Sequence, residues 1–507
     1  MTTFPWLTTL GLIPLVGALA VAFMGRAPSG RIVALGVSLV TLTVSVGAAL
    51  QFNPSSPEQF QLTELHPWIP QWGISYALGV DGMALALIVM GAILVPVCIL
   101  AAWDDVPEGG TRQNRYFAWM LFLEAMIVGV FAATDVVLFY VFFEVMLIPV
   151  FFLIGSYGGP GRRAAAMKFL LFSLTGGLVM LVAVLALFPL GPGGDTAFLV
   201  SSLTGLKLDP GIEMLLFCGF FIAFAIKAPM WPVHTWLPEA STESRPATAV
   251  LLVGVLDKVG TFGMIRFCLQ MFPEASKQAA PYVIALAVIS ILYGAVLAIG
   301  SNDIMRFIAY TSISHFGFII LGIFAFTPVA GSGSVLYMVN HGFSTAGLFL
   351  VAGMLISRGG SKYRDAYGGW QRVTPVLAGA FLISGLSTLA LPGLGSFVSE
   401  YMVLVGSYAT SPIAAVIAAT ALILAAVYVL ITYQRIFTGA RPTDRANVPD
   451  LTVREKWVVA PIIVAFLLLG FYPKVALDVV NPSVTQTMSV VGVATSSTTA
   501  PSIGSDR

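Results

Sequence analysis

The sequence predicts an all-α polytopic membrane protein with about 14 transmembrane helices. Three observations predict it. Of 507 residues, 58% are hydrophobic and only 10% charged, against about 25% charged in a soluble globular domain. The mean hydropathy is +0.92, and the apolar runs are long and continuous, unlike the alternating ~10-residue segments of a transmembrane barrel. Basic residues, finally, collect in alternate connections between those runs.

The spans are expected near 5–24, 31–50, 79–103, 114–133, 134–157, 164–189, 211–238, 246–270, 280–300, 304–325, 333–357, 373–408, 411–435 and 457–474. Arg26 and Arg31 lie in the first connection, Arg112 and Arg115 in the third, and Arg162 and Arg163 in the fifth, with Lys168 just inside the next helix. Arg245 marks the seventh and Arg306 flanks the ninth. Arg358, Lys362, Arg364 and Arg372 mark the eleventh; Arg435, Arg441, Arg445, Arg454 and Lys456 mark the thirteenth. The even-numbered connections hold only Lys207 and Lys277. The positive-inside rule puts the odd connections in the cytoplasm and both termini on the other side. The first run reads as a retained helix, and the Ser/Thr-rich tail after Lys474 as poorly ordered.

Two spans are too long to be straight. The seventh contains AIKAPMWPVHTWLPEA, in which Lys227 is followed by Pro229, Pro232 and His234. Proline removes a backbone donor and breaks the helix, and a broken helix carrying an ammonium group is tolerated only where protein or a water-filled cavity surrounds it. The twelfth is interrupted by LPGLGSFVSE, which ends on Glu400. The breaks are five spans apart. An odd offset inverts one unit relative to the other, so spans 4–8 and 9–13 read as two five-helix inverted-topology repeats, and paired broken helices point to a transport site. The expected organisation is three leading helices (1–110), a first repeat (111–272), a second repeat (273–437), and a last helix with its tail (438–507).

Ionisable groups at membrane depth are candidate functional groups. Glu144 is about ten residues into its helix, hence ~15 Å deep, with Lys227 as the obvious partner. Desolvation and pairing act on their proton affinities in opposite senses, so a pair that opens and closes is a proton switch. Lys258 lies near mid-depth in the eighth span. Asp257 is adjacent to it but ~100° around the helix, facing a different neighbour. His315 and His341 lie between the lysines and Glu400 in sequence, and His315 sits among Tyr310, Ser312 and Ser314, a setting for a water-linked relay. His234 is balanced between packing at the helix break and function. Asp135 either lines an exit path or favours a helix N-terminus. Glu124 has no evident partner. Arg266, near a helix end, reads as snorkelling, and Asp81, Lys168 and Glu239 as solvated helix ends.

Several classes are set aside. A net charge of +1 carries no signal for nucleic acid. Cys98, Cys218 and Cys268 show neither metal spacing nor a disulfide framework. There is no Walker loop, no dinucleotide fingerprint, and no cysteine cluster or histidine spacing for iron–sulfur or haem. No cofactor or metal is therefore expected on this chain. Alternating basic and acidic groups at mid-membrane point instead to ion movement, with protons the simplest ion.

The combination of AIKAPMWPVHTWLPEA, FEVMLIPVFFLIG, Lys258, TSISHFGF, VNHGFSTAGLFL and LPGLGSFVSE resembles the antiporter-like proton-translocating subunits of respiratory complex I, over most of the chain from the third span onward. The Lys-x-Pro…His…Trp-Leu-Pro pattern is shared with multisubunit cation/proton antiporters and membrane-bound hydrogenases. The glutamate at position 400, and the short stretch after the last span, resemble the subunit class that carries a glutamate there rather than the lysine-carrying L and N classes. By that resemblance Glu144, Lys227, Lys258 and Glu400 match essential channel residues, and His315 and His341 match relay positions; Asp257 and Glu124 match nothing. The resemblance implies a translocase subunit of NADH:quinone oxidoreductase in a bacterial inner (plasma) membrane. NADH, FMN, iron–sulfur clusters and quinone are then expected on partner subunits, with L- and N-like membrane subunits as neighbours. A cation/proton antiporter subunit and a purely structural scaffold remain as alternatives.

Overall fold

The computed structural model describes residues 4–107, 110–442, 445 and 447–493. Among them, twelve helices are long and apolar enough to cross a membrane. They follow the runs read from the sequence, and the ordinal numbers given above are kept for them. Local chemistry sets their starts. Pro210, Pro246, Pro273, Pro328, Pro375 and Pro412 each open a helix, where a missing N–H breaks no intrahelical bond. Asp81, Asp135, Asp209 and Asp303 cap helices by accepting from backbone N–H groups.

The eighth, tenth and eleventh spans (Pro246–Leu269, Ile304–Phe324 and Pro328–Gly359) are almost wholly buried, whereas the first, second and thirteenth (Trp6–Phe23, Gly30–Gln51 and Pro412–Phe437) are largely exposed. In lipid, hydrophobicity does not sort interior from exterior, because tails are as apolar as leucine. Charge does. The buried spans carry Asp257, Lys258, His315 and His341, while the three peripheral ones have their charges only at or near their ends.

Both breaks are present. In the seventh span the helix Pro210–Lys227 stops on the lysine, and a short helix, Trp236–Glu243, follows after eight non-helical residues. The twelfth is two helices of 14 residues, Pro375–Thr388 and Gly395–Tyr408. The odd-numbered connections share one end of the bundle. There Arg358 forks onto Glu455 at 2.8 and 2.6 Å, Lys362 lies 3.3 Å from Asp303 and 3.5 Å from Glu243, and Arg454 lies 2.5 Å from Asp104.

Four features depart from or add to the expectations. The last span, Val453–Phe471, is not followed by loose chain: it bends by 68° into a further helix, Lys474–Val490. Val480, Val484 and Met488 recur every four residues, are buried, and form a stripe within the Ser/Thr-rich sequence. Residues 494–507 of that tail lie outside the described residues. Second, the helical class holds with one local addition. An antiparallel hairpin, Gln61–Ile69 with Ile74–Val80, precedes the third span, with Ile69 opposite Ile74. Third, Arg266 does not snorkel and Asp81 is not solvated. They are 1% and 2% exposed and form an ion pair of 2.8 Å, with Phe60 and Phe262 against the guanidinium. The hairpin and the final helix cover that end, removing the water that snorkelling requires. Fourth, the eighth span is not a uniform α-helix: Val250–Leu256 and Met264–Leu269 are π-helical, around a short α segment, Lys258–Gly263.

Candidate functional site

Lys227 is wholly buried where its helix ends. The break is held by polar contacts of its own: Trp236 Nε1 donates to Ile226 O at 2.9 Å, and Trp231 N to Ser290 Oγ at 2.9 Å. The lysine Nζ meets no hydrogen-bond acceptor. It faces the rings of Phe143 and Phe169, at 4.9 and 5.6 Å from their centroids. Glu144, next to Phe143, acts on Lys227 through its charge without a direct hydrogen bond. Its carboxylate packs against the sixth span at Gly177, where a Cβ would overlap Oε1. The expected pair is thus brought together, but as an open one.

Lys258 is held differently. Its Nζ donates to Val253 O at 2.5 Å and lies 2.6 Å from His341 Nδ1, with the Phe316 ring 5.0 Å away. The other nitrogen of His341, Nε2, is 3.1 Å from Thr345 Oγ1. Beyond it the His315 ring stands 5.3 Å from that of His341, crossed at 80°. His315 Nε2 is 3.4 Å from Tyr428 Oη, and its ring lies 5.8 Å from that of Tyr337. Tyr337 donates to Glu400 Oε2 at 2.9 Å. Lys258, His341, His315, Tyr337, Tyr428 and Glu400, all buried, therefore form one row from the eighth span through the eleventh and tenth to the second broken span.

Ser312 and Ser314 do not serve His315: their hydroxyls donate to Ile308 O and Ile291 O, and Tyr310 is only half-buried. Beside His315 stand the Tyr428 hydroxyl and the Tyr337 ring, which the sequence reading missed. Tyr337 had a signal, since Tyr337, His341 and Thr345 are spaced by four along one helix face. Tyr428 had none. His234 stays apart from the row, its ring 5.0 Å from that of Tyr293 and its Nδ1 without a hydrogen bond. Asp135 caps its helix, accepting from Val137 N, Leu138 N and Ser75 N at 2.9, 3.0 and 3.1 Å. Glu124 is buried with neither oxygen hydrogen-bonded. Lys168 and Glu239 pair at 2.6 Å, both partly exposed.

Amines, imidazoles, phenols and carboxyls in one buried row can pass protons without any redox centre. Among the described residues, no group of three or more His, Cys, Asp or Glu side chains is arranged to hold a metal ion.

A family model described as NADH:quinone oxidoreductase/Mrp antiporter, TM, matches residues 133–425. NADH-quinone oxidoreductase subunit M of Mycobacterium tuberculosis (strain ATCC 25618 / H37Rv) is 46% identical, over 97% of this chain and 95% of its own. Subunit M of Escherichia coli (strain K12) is 36% identical, over 94% of this chain and 95% of its own. Among solved structures, a chain of respiratory complex I from Thermus thermophilus superposes with a TM-score of 0.88 at 32% identity, covering 96% of this chain and 100% of that one. A chain of the Mrp complex from Dietzia sp. DQ12-45-1b superposes with a TM-score of 0.86 over 97% of this chain and 100% of that one; at 21% identity this shows the fold alone. With more than half its length matched by the family model and full-length relatives well above 30% identity, the chain belongs to the NADH:quinone oxidoreductase/Mrp antiporter transmembrane family.

Proposed function

We propose that this chain is the M-type proton-translocating membrane subunit of an NADH:quinone oxidoreductase. NADH is oxidised and quinone reduced on partner subunits that carry FMN and iron–sulfur clusters. This chain uses the released energy to move protons, and it sits in a bacterial inner membrane between L- and N-like subunits. The observation that carries the reading is the buried row from Lys258 to Glu400, with the open Glu144–Lys227 pair at its other end. The names of the full-length relatives supply the link to NADH and quinone. Spans 4–8 and 9–13 act as two inverted halves, each with a broken helix beside a charge. The basic odd-numbered connections face the cytoplasm and both termini the opposite side.

In mechanism, Glu144 and Lys227 exchange between paired and separated states. Separation frees the Lys227 proton, and the charge moves along Lys258, His341 and His315 to Glu400. The test is NADH-driven acidification of inside-out vesicles carrying the whole complex, normalised to NADH oxidation. Lys227→Ala is expected to lower acidification per NADH, or to stop oxidation and pumping together, with the complex assembled. Unchanged coupling in that variant refutes the reading.

A further inference from the structure

Ring contacts and hydrogen bonds link the row from Lys258 to Glu400, but neither joins Lys227 to it. Asp257 is a buried carboxylate whose charge reaches both lysines. It precedes Lys258 in the chain, is wholly buried, and neither of its carboxylate oxygens meets a protein donor. Three residues on, Gly260 packs against the end of the Lys227 helix: a Cβ on Gly260 would lie 2.5 Å from Phe224 O and 2.6 Å from Ala228 N. Positions three apart on a helix lie within about 60° of each other, so Asp257 is turned toward the same break. The charge of Asp257 acts on both Lys258 and Lys227. The backbone there is π-helical, and Asp257 N bonds to Leu252 O, five residues back, at 3.1 Å. Single turns of π-helix inside α-helices gather at functional sites.

We propose that Asp257 is the proton carrier between Lys227 and Lys258, joining the first broken span to the buried row. A proton leaves the Lys227 ammonium for the Asp257 carboxylate, giving an amine and a carboxylic acid. The acid then gives it to the neutral amine of Lys258, restoring the carboxylate and leaving an ammonium. One proton moves, net charge is unchanged, and no electrons are transferred. The step rests on the pumping reading above.

The test is the same vesicle assay with Asp257→Asn, Asp257→Glu and Lys227→Ala in the assembled complex. Asparagine keeps the shape and cannot carry the proton, so NADH-driven acidification falls about a hundredfold. Glutamate restores most of it. Acidification that is unchanged in Asp257→Asn overturns the proposal. So does an equal loss in the Asn and Glu variants, which marks a packing role. Should Asp257→Asn fail to assemble, Asp257→Ser replaces it with the same expected loss; failure of both to assemble while Asp257→Glu assembles marks a structural carboxylate and also overturns it. Lys227→Ala separates the two levels. If it pumps normally, the pumping reading fails and the Asp257 step with it. If it fails while Asp257→Asn pumps normally, only the Asp257 step falls.

Discussion

The two broken spans hold their charges in opposite ways. At the seventh, Lys227 has ring faces on two sides, no hydrogen-bond acceptor, and a carboxylate that reaches it only through space. At the twelfth, Glu400 accepts a direct hydrogen bond from Tyr337 within a cluster that includes Tyr428 and His315. A cation over an aromatic face gains about 2 kcal/mol when desolvated, while removing an ion from water costs several. The Lys227 charge is thus weakly held, and the Glu400 position is supported by a specific donor. The charge at the first break is free to change, and the one at the second is held in a defined geometry.

That contrast can be broken most directly at Lys227. Arginine preserves the positive charge but stays protonated and brings five donors to a site without acceptors. Lys227→Arg is expected to lower NADH-driven acidification by about two orders of magnitude. An arginine variant that pumps would show that a fixed charge suffices there. At the other end, Tyr337→Phe removes the donor to Glu400 and nothing else. A hydrogen bond to a charged group contributes about 1.5 kcal/mol or more, so pumping should fall about tenfold, measured in the same vesicles with assembly checked by native gel. Gly177→Ala places a methyl where the Glu144 carboxylate now lies. Overpacking of about 1 kcal/mol predicts a loss of about fivefold; an unchanged rate would mean that Glu144 does not work from this position. The smallest effect is expected from Tyr428→Phe, whose contact with His315 is long at 3.4 Å. A change below about twofold is expected, and a larger one would move Tyr428 into the main path.

Much of the site was legible because charge in an apolar run is conspicuous. Glu144, Lys227 and Lys258 stood out by depth in apolar runs, Glu400 by its helix break, and His315 and His341 by their place between the lysines and Glu400; the structure brings Lys258, both histidines and Glu400 into one row. Tyr337 was readable in the four-residue spacing with His341. Tyr428 was not, because a tyrosine in an apolar helix is unremarkable; Asp257 was read as facing a different neighbour from Lys258, but with no partner to name. Arg266 and Asp81 were misread for a related reason. Nearness to a helix end suggests water, but the hairpin and the final helix exclude it there.

The membrane class, the order of the spans, the two breaks and the side chains that carry charge into the interior can all be read along the chain. These follow from chain-local physics: apolar length, proline, and the cost of a charge in lipid. Which charges meet is a matter of packing. It set Lys258 on His341, left Lys227 without a hydrogen bond, buried the Arg266–Asp81 pair and left both Asp257 oxygens without a donor. Those outcomes depend on how helices rotate and pack. In a bundle whose inner and outer faces are equally apolar, rotation leaves almost no trace in the sequence.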